Sequence, residues 1–176
     1  MSFGLSTRNH KIDKAISDSY SAGRILLAAA SNEGGNDLRA YPANQRKVIC
    51  VNCTDGKGND SGLNPSPVVS DDNFSTLGVA VESSWKGVTL RKSGTSYAAP
   101  IAAGIAASFL DYARYKLEMT EEEWEWLYSC DGMREIFRLM SQKRCSYDYI
   151  APWILWKEAA SEAYVHERIL ERIRAR

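Results

Sequence analysis

The apolar positions of this chain change their period several times along its first two thirds. "HKIDKAISDSYSAG" puts Ile12, Ala15, Ile16 and Tyr20 on one helical face and stops at Gly23. "RILLAAA" (Arg24 to Ala30) is an uninterrupted apolar run of strand length, the pattern of a strand covered on both faces. With "MSFG" ahead of it read as a short strand stub, strand, helix and strand predict a right-handed parallel crossover. "KVICVNC" repeats the strand signal, and "TDGKGNDSGLNPSP" is a loop with turn chemistry throughout. Two weaker strands are predicted near Leu77 to Val81 and Val88 to Leu90. From Ser96 the period becomes helical. Ala98, Ala99, Ala102, Ala103, Ala106 and Ala107 give a cross-section narrow enough to run through a packed interior, and Pro100 is tolerated because it falls in the first turns.

Beyond Lys116 the periodicity predicts helices alone. Thr120 and Glu123 form a capping-box pattern ahead of Trp124, Leu127 and Tyr128. A second helix is predicted from Asp131 to Met140. A last one, from near Pro152, carries Trp153, Trp156, Ala160, Ala163, Leu170 and Ile173 on one broad face. Trp124, Trp126, Trp153 and Trp156 at helical spacing suit core cover better than docking. The expected organisation is an alternating α/β part over residues 1–116 and a helical C-terminal extension over 117–176.

Composition narrows the picture. The chain has 176 residues, 44% hydrophobic, enough for one core plus an appendage. Lys+Arg and Asp+Glu are both 22 with no basic stripe, which argues against nucleic acid as a partner. No window reaches the roughly 18 apolar residues of a membrane span, and "MSFGLSTRNHK" lacks a signal-peptide pattern, so no membrane partner is expected and the expected compartment is cytoplasmic. Cys50, Cys53, Cys130 and Cys145 are too irregularly spaced for a disulfide framework and read as free thiols. Cys50 and Cys53 have CxxC spacing, but in a strand positions three apart point to opposite faces. No metal or other cofactor is expected, and no carboxylate cluster has hard-cation spacing. Sequons beginning at Asn52, Asn59 and Asn73 read as chance matches.

Candidate chemistry centres on "KSGTSYAAPIAAG" (Lys92 to Gly104). A serine hydroxyl attacks a carbonyl only when a base removes its proton, and the tetrahedral intermediate needs donors aimed at its oxyanion. A serine opening a helix keeps its backbone N–H unpaired within that helix, at the positive end of the macrodipole. The second donor should be a fixed neutral side chain. Asn32 stands at the C-terminal end of the "RILLAAA" strand, where ligands gather in open parallel sheets.

Five stretches, in family order along the chain, now resemble one family. "GTSYAAP" around Ser96 is similar to the nucleophile motif of the subtilisin-like serine proteases, the subtilases. "MSFG" resembles that family's substrate-pairing strand, "AAASNEG" the strand end with the oxyanion Asn, and "YPA" (Tyr41 to Ala43) the segment whose Pro is commonly cis. "NFSTLG" resembles a later strand entry. The resemblance implies an α/β three-layer sandwich with a mainly parallel sheet, its N-terminal strands missing, and a serine endopeptidase with a peptide or protein substrate. It implies Ser96 as nucleophile and Asn32 as oxyanion donor. Ser2, Phe3 and Gly4 would line the cleft by backbone hydrogen bonds, with Ala29, Ala30 and Ser31 on the opposite wall. Ser31 stands where the family usually has Gly, which implies a narrower or more polar pocket.

The family's triad runs Asp, His, Ser along the chain, so both partners of Ser96 should precede "MSFG". Only His10 and His166 are present, and neither is followed by Gly-Thr. His10 is expected at a helix N-terminus and His166 on a solvated helix face. Two classes of function follow. The first is a serine endopeptidase whose chain is the C-terminal portion of a catalytic domain, completed by a missing N-terminal half and with further fused domains possible. The second is a catalytically inactive pseudoprotease that binds a peptide or partner.

Overall fold

The structure, a computed structural model, describes residues 1–157 and 161–175. Asn9 caps helix α1 (His10–Ser21), its side chain accepting from the N–H groups of Lys11 and Ile12. Ile16 is the buried residue of the expected face, while Ala15 is exposed. Strands β1 (Leu27–Ala29), β2 (Ile49–Thr54) and β3 (Phe74–Leu77) follow, then an antiparallel hairpin, β4 (Val81–Trp85) and β5 (Val88–Lys92). The predicted strand at Leu77 to Val81 is corrected: β3 starts earlier, and Gly78 to Ala80 is the turn into β4, with Ala80 at φ 53°. The "MSFG" stub is not a strand either. Met1 pairs with the outer edge of β1 through two hydrogen bonds, to the Leu27 carbonyl at 2.6 Å and from the Ala29 N–H at 3.0 Å. Leu5 forms an antiparallel bridge to Tyr41.

Helix α2 (Thr95–Lys116) begins one residue before the predicted start. Ala98, Ala99, Ala102, Ala106, Phe109 and Ala113 are buried along one side, but Ala103 and Ala107 are exposed, so the helix rests on the sheet and is not enclosed. Helices α3 (Glu121–Leu127) and α4 (Cys130–Leu139) come next. The expectation of helices alone then fails. Strands β6 (Ser141–Arg144) and β7 (Tyr147–Ile150) form a hairpin, followed by α5 (Ile154–Lys157) and α6 (Glu162–Arg174). The predicted last helix is therefore two helices, and Ala160 of its expected face lies outside the described residues. Tyr147, Tyr149 and Ile150 are buried while Lys143 and Arg144 are exposed, a pattern that suits a strand against the core with a solvated edge beside it.

The five-stranded sheet runs β1-β2-β3-β7-β6, parallel from β1 to β7, with β6 antiparallel at the edge. Two apolar clusters lie on its two faces. One joins Ile49, Val51 and Cys53 to α2, α3, α4 and α6; the other joins Cys50, Ala28 and Val48 to Ile16 of α1. These are the three layers of an α/β sandwich. Cys50 and Cys53 thus point to opposite faces, and all four cysteines are free. Burial pushes the Cys50 thiol up to about 11 and Cys53 above the ordinary thiol value, which keeps both protonated and unreactive. Asn52 and Asn73 are buried in this core, so of the three sequons only that at Asn59 is exposed.

Candidate active site

Three segments converge at the C-terminal ends of the parallel strands: the loop after β1, the N-terminus of α2, and the extended stretch from Met1 to Leu5. Gly94 caps α2 at φ 152°, a conformation L side chains rarely adopt. A side chain there would also press on the Asn32 amide, at 3.2 Å from Nδ2. Gly94 is tied to the turn after β3 by its N–H to the Gly78 carbonyl at 2.8 Å. Gly78 has no room for a Cβ, which would overlap Cys53. The entry to α2 is fixed by backbone contact on both sides.

Thr95 and Asn32 form the centre. The Thr95 N–H donates to Asn32 Oδ1 at 2.8 Å, and the Thr95 hydroxyl lies 3.1 Å from the same oxygen and 3.2 Å from the Ser31 carbonyl. A backbone N–H can only donate, so the amide must present its oxygen to Thr95 and its Nδ2 donor the other way. Nδ2 makes no hydrogen bond among the described residues. Ser96, half-buried, is the next residue. Its N–H is one of the unpaired donors at the helix start, and its Oγ donates to the Ser2 carbonyl at 3.4 Å, while Ser2 Oγ donates to the Ser96 carbonyl at 3.0 Å.

The other expected site residues are placed as follows. Ser2, Phe3 and Gly4 are exposed along one rim, Phe3 with 47% of its surface free. Ser31 is half-buried and its Oγ accepts from the Glu33 N–H at 3.3 Å. Ala29 and Ala30 are buried in the clusters on opposite sheet faces, and the Ala30 N–H and carbonyl are already bonded to Val51 and Ala40. Of the three residues expected on the opposite wall, Ser31 is the one a ligand can reach from the surface. The Tyr41–Pro42 peptide bond is cis, as the "YPA" segment leads one to expect. A cavity of about 690 Å³ opens beside Ser31, bounded by Gly4 and Leu5 on one side and Ala40 and Tyr41 on another.

Neither histidine hydrogen-bonds to Ser96. His10 is the first residue of α1, as expected. His166 is not on a solvated face: it is half-buried on α6, its Nε2 lies 2.9 Å from the Tyr112 hydroxyl, and the two rings meet edge to face. Sequence reasoning missed the role of Thr95. Its position inside "GTSYAAP" was the available signal, but that motif reads as a frame for Ser96 until the fold brings Asn32 across to it.

The Subtilase family model matches residues 1–137. The chain belongs to the subtilase family. It is 32% identical to Subtilisin DY of Bacillus licheniformis over 114 residues, covering 62% of this chain and 41% of that protein. It is 30% identical to M-protease of Shouchella clausii (strain KSM-K16) over 108 residues, covering 61% of this chain and 28% of that protein. The chain therefore spans less than half the length of these curated relatives. Among solved structures, the self-cleaved protease domain of PatA matches with a TM-score of 0.72 at 20% identity, covering 97% of this chain and 60% of that one. The prenylagaramide maturation protease PagA matches with a TM-score of 0.62 at 21% identity, covering 98% and 57%. At these identities the two structures establish the fold. This subtilase chain thus has the mainly parallel α/β architecture of subtilisin-like protease domains, with a C-terminal region rich in helices.

Proposed function

We propose that this subtilase chain carries the nucleophile half of a serine endopeptidase site. In this reading Ser96 Oγ attacks the scissile carbonyl of a peptide, and the oxyanion is held by Asn32 Nδ2 and the Ser96 N–H. The C–N bond then breaks, the amine leaves with a proton, and water hydrolyses the acyl-Ser96 ester. The peptide lies along Ser2, Phe3 and Gly4 with one side chain in the cavity beside Ser31. What carries the reading is the bracket of Thr95 on Asn32, which fixes an amide with its donor end unpaired at the start of the helix that holds Ser96. The Asp and His that complete the triad come, on this reading, from chain beyond the part spanned here. The four free thiols favour a reducing compartment for it.

The test is hydrolysis of a fluorogenic peptide by the full-length protein that supplies the Asp and His, as the wild type and as Ser96→Ala. Loss of all hydrolysis in the variant is expected, and activity that persists would overturn the role of Ser96. Translating the transcript in frame upstream of Met1 tests the source of the partners: an Asp-Ser/Thr-Gly and a His-Gly-Thr motif are expected there.

A second reading has one observation in its favour. Both histidines are held away from Ser96 hydroxyl contact, one as the first residue of α1 and one paired with Tyr112. A non-catalytic module that holds a peptide along the same rim needs no base. It predicts saturable peptide binding by the wild type with no turnover.

A further inference from the structure

The charges around the 690 Å³ cavity do not balance. Four charged side chains line it: Arg8, Glu33, Asp37 and Arg39. Both arginines are already neutralised from outside the cavity. Arg8 Nε lies 2.6 Å from Asp13, and the Arg39 guanidinium, whose side chain is 8% exposed, spends one nitrogen on Asp71 at 2.6 Å and another on the Asp72 carbonyl and Asn73 Oδ1. Glu33 and Asp37 have no cationic partner among the described residues. Among the described residues, the one hydrogen bond to either carboxylate is that which Asp37 Oδ1 accepts from the adjacent Leu38 N–H. The cavity therefore carries two uncompensated carboxylates, while Leu5, Leu38 and Tyr41 supply apolar wall beside them.

We propose that this cavity selects peptides whose side chain seated in it is Lys or Arg, with Glu33 and Asp37 as the specificity-determining residues. The inference deepens the protease reading and rests on it for the place of the cavity beside the scissile bond. Its chemistry is that of a long aliphatic stem with a terminal cation. The stem packs against Leu5, Leu38 and Tyr41, and the cation meets the two carboxylates. An aliphatic side chain would bury the stem contacts and leave both carboxylates facing apolar surface. An acidic one would add like charge. Since Glu33 and Asp37 are solvent-exposed, the preference is modest and salt-dependent, about tenfold for the pair at low ionic strength.

Tetrapeptide amides labelled at the N-terminus, fluorescein-Ala-Ala-Pro-X with X as Arg, Lys, Leu or Glu, are titrated with the chain and read by fluorescence polarisation at about 0.05 M and about 0.5 M salt. The Arg and Lys peptides are expected to bind about tenfold tighter than Leu, with Glu weakest, and the gap is expected to close to about threefold or less at high salt. The double variant Glu33→Gln, Asp37→Asn should bind the Arg and Lys peptides more weakly than the wild type, bind the Leu peptide at least as well as the wild type does, and show no preference for cations. Equal binding, a preference for Leu, no binding of any peptide, or a preference that survives in the double variant would each overturn the proposal. Catalysis separates the two readings. Turnover lost in Ser96→Ala without a Lys or Arg preference leaves the protease reading standing and sinks this one. A cation preference in binding together with turnover that survives Ser96→Ala does the reverse.

Discussion

Thr95 gives both its backbone N–H and its hydroxyl to Asn32 Oδ1, and the two gifts are not equivalent. The backbone bond alone fixes which end of the amide faces the helix, because an N–H cannot accept. The hydroxyl is shared with the Ser31 carbonyl and mainly stiffens the loop. Thr95→Val, which keeps the N–H and the side-chain volume, is therefore expected to lower turnover by no more than about tenfold, the cost of about one neutral hydrogen bond. On the proposed protease reading, Asn32→Ala removes the oxyanion donor and is expected to cost about 10²–10³ in turnover, a magnitude known from subtilisin and carried over to this chain. Steady-state kinetics of the two variants measures the ratio. Equal losses would mean that Asn32 acts only by holding Thr95.

Glu123 shows how a single element is anchored. It closes the capping box of α3, its Oε2 accepting from the Thr120 N–H at 2.8 Å while its own N–H donates to Thr120 Oγ1 at 3.2 Å. Its other oxygen accepts from Arg174 Nε of α6 at 2.7 Å. The bond from Arg174, and next the one from the Thr120 N–H, hold the Glu123 carboxyl below the usual carboxylate range. A lowered folded value means that the unfolded chain binds the proton more readily. The stabilisation is thus complete above the ordinary Glu value of about 4.3 and disappears as pH falls through the lower folded value. Glu123→Gln should flatten the fall in thermal midpoint between about pH 5 and about pH 3, and leave the dependence above about pH 6 unchanged. A variant as acid-sensitive as the wild type would show that other carboxylates carry the acid limb. This capping box is legible in the sequence because both partners are three residues apart. So are "GTSYAAP" and the α1 face, which are local patterns as well. The β6–β7 hairpin is not. "SQKRCSYDYI" has only Tyr147, Tyr149 and Ile150 to mark a strand, and the partner that makes it one is β3, where Phe74 pairs with Asp148 far along the chain. Glu33 and Asp37 carry no motif, and their meaning depends on Arg8 and Arg39 being neutralised by residues the fold brings from elsewhere.

At the scale of the molecule the last elements are part of the sheet that carries the site. Ile150, Leu155, Val165, Ile169 and Ile173 belong to the same buried cluster as Ile49, Val51 and the alanines of α2. A chain ended at residue 137, where the family match stops, would lose all five. At about 2–5 kcal/mol for each large aliphatic side chain removed, the loss equals or exceeds the typical net stability of about 5–15 kcal/mol for most domains. The shortened chain is expected in the insoluble fraction or without a cooperative thermal transition, as differential scanning calorimetry would record. A soluble, cooperatively melting chain of residues 1–137 would show that the C-terminal region is an accessory.

Because β7 lies between β3 and β6, the sheet cannot close in the order in which the ribosome delivers it. Ser96, Asn32 and their brackets leave the exit tunnel well before Tyr149 does, and until then β3 waits with an unpaired edge. Contacts that span so much chain form slowly, and open strand edges invite other chains meanwhile. The yield of folded protein should therefore depend on how quickly translation passes residues 117–150, a stretch that supplies none of the proposed catalytic groups.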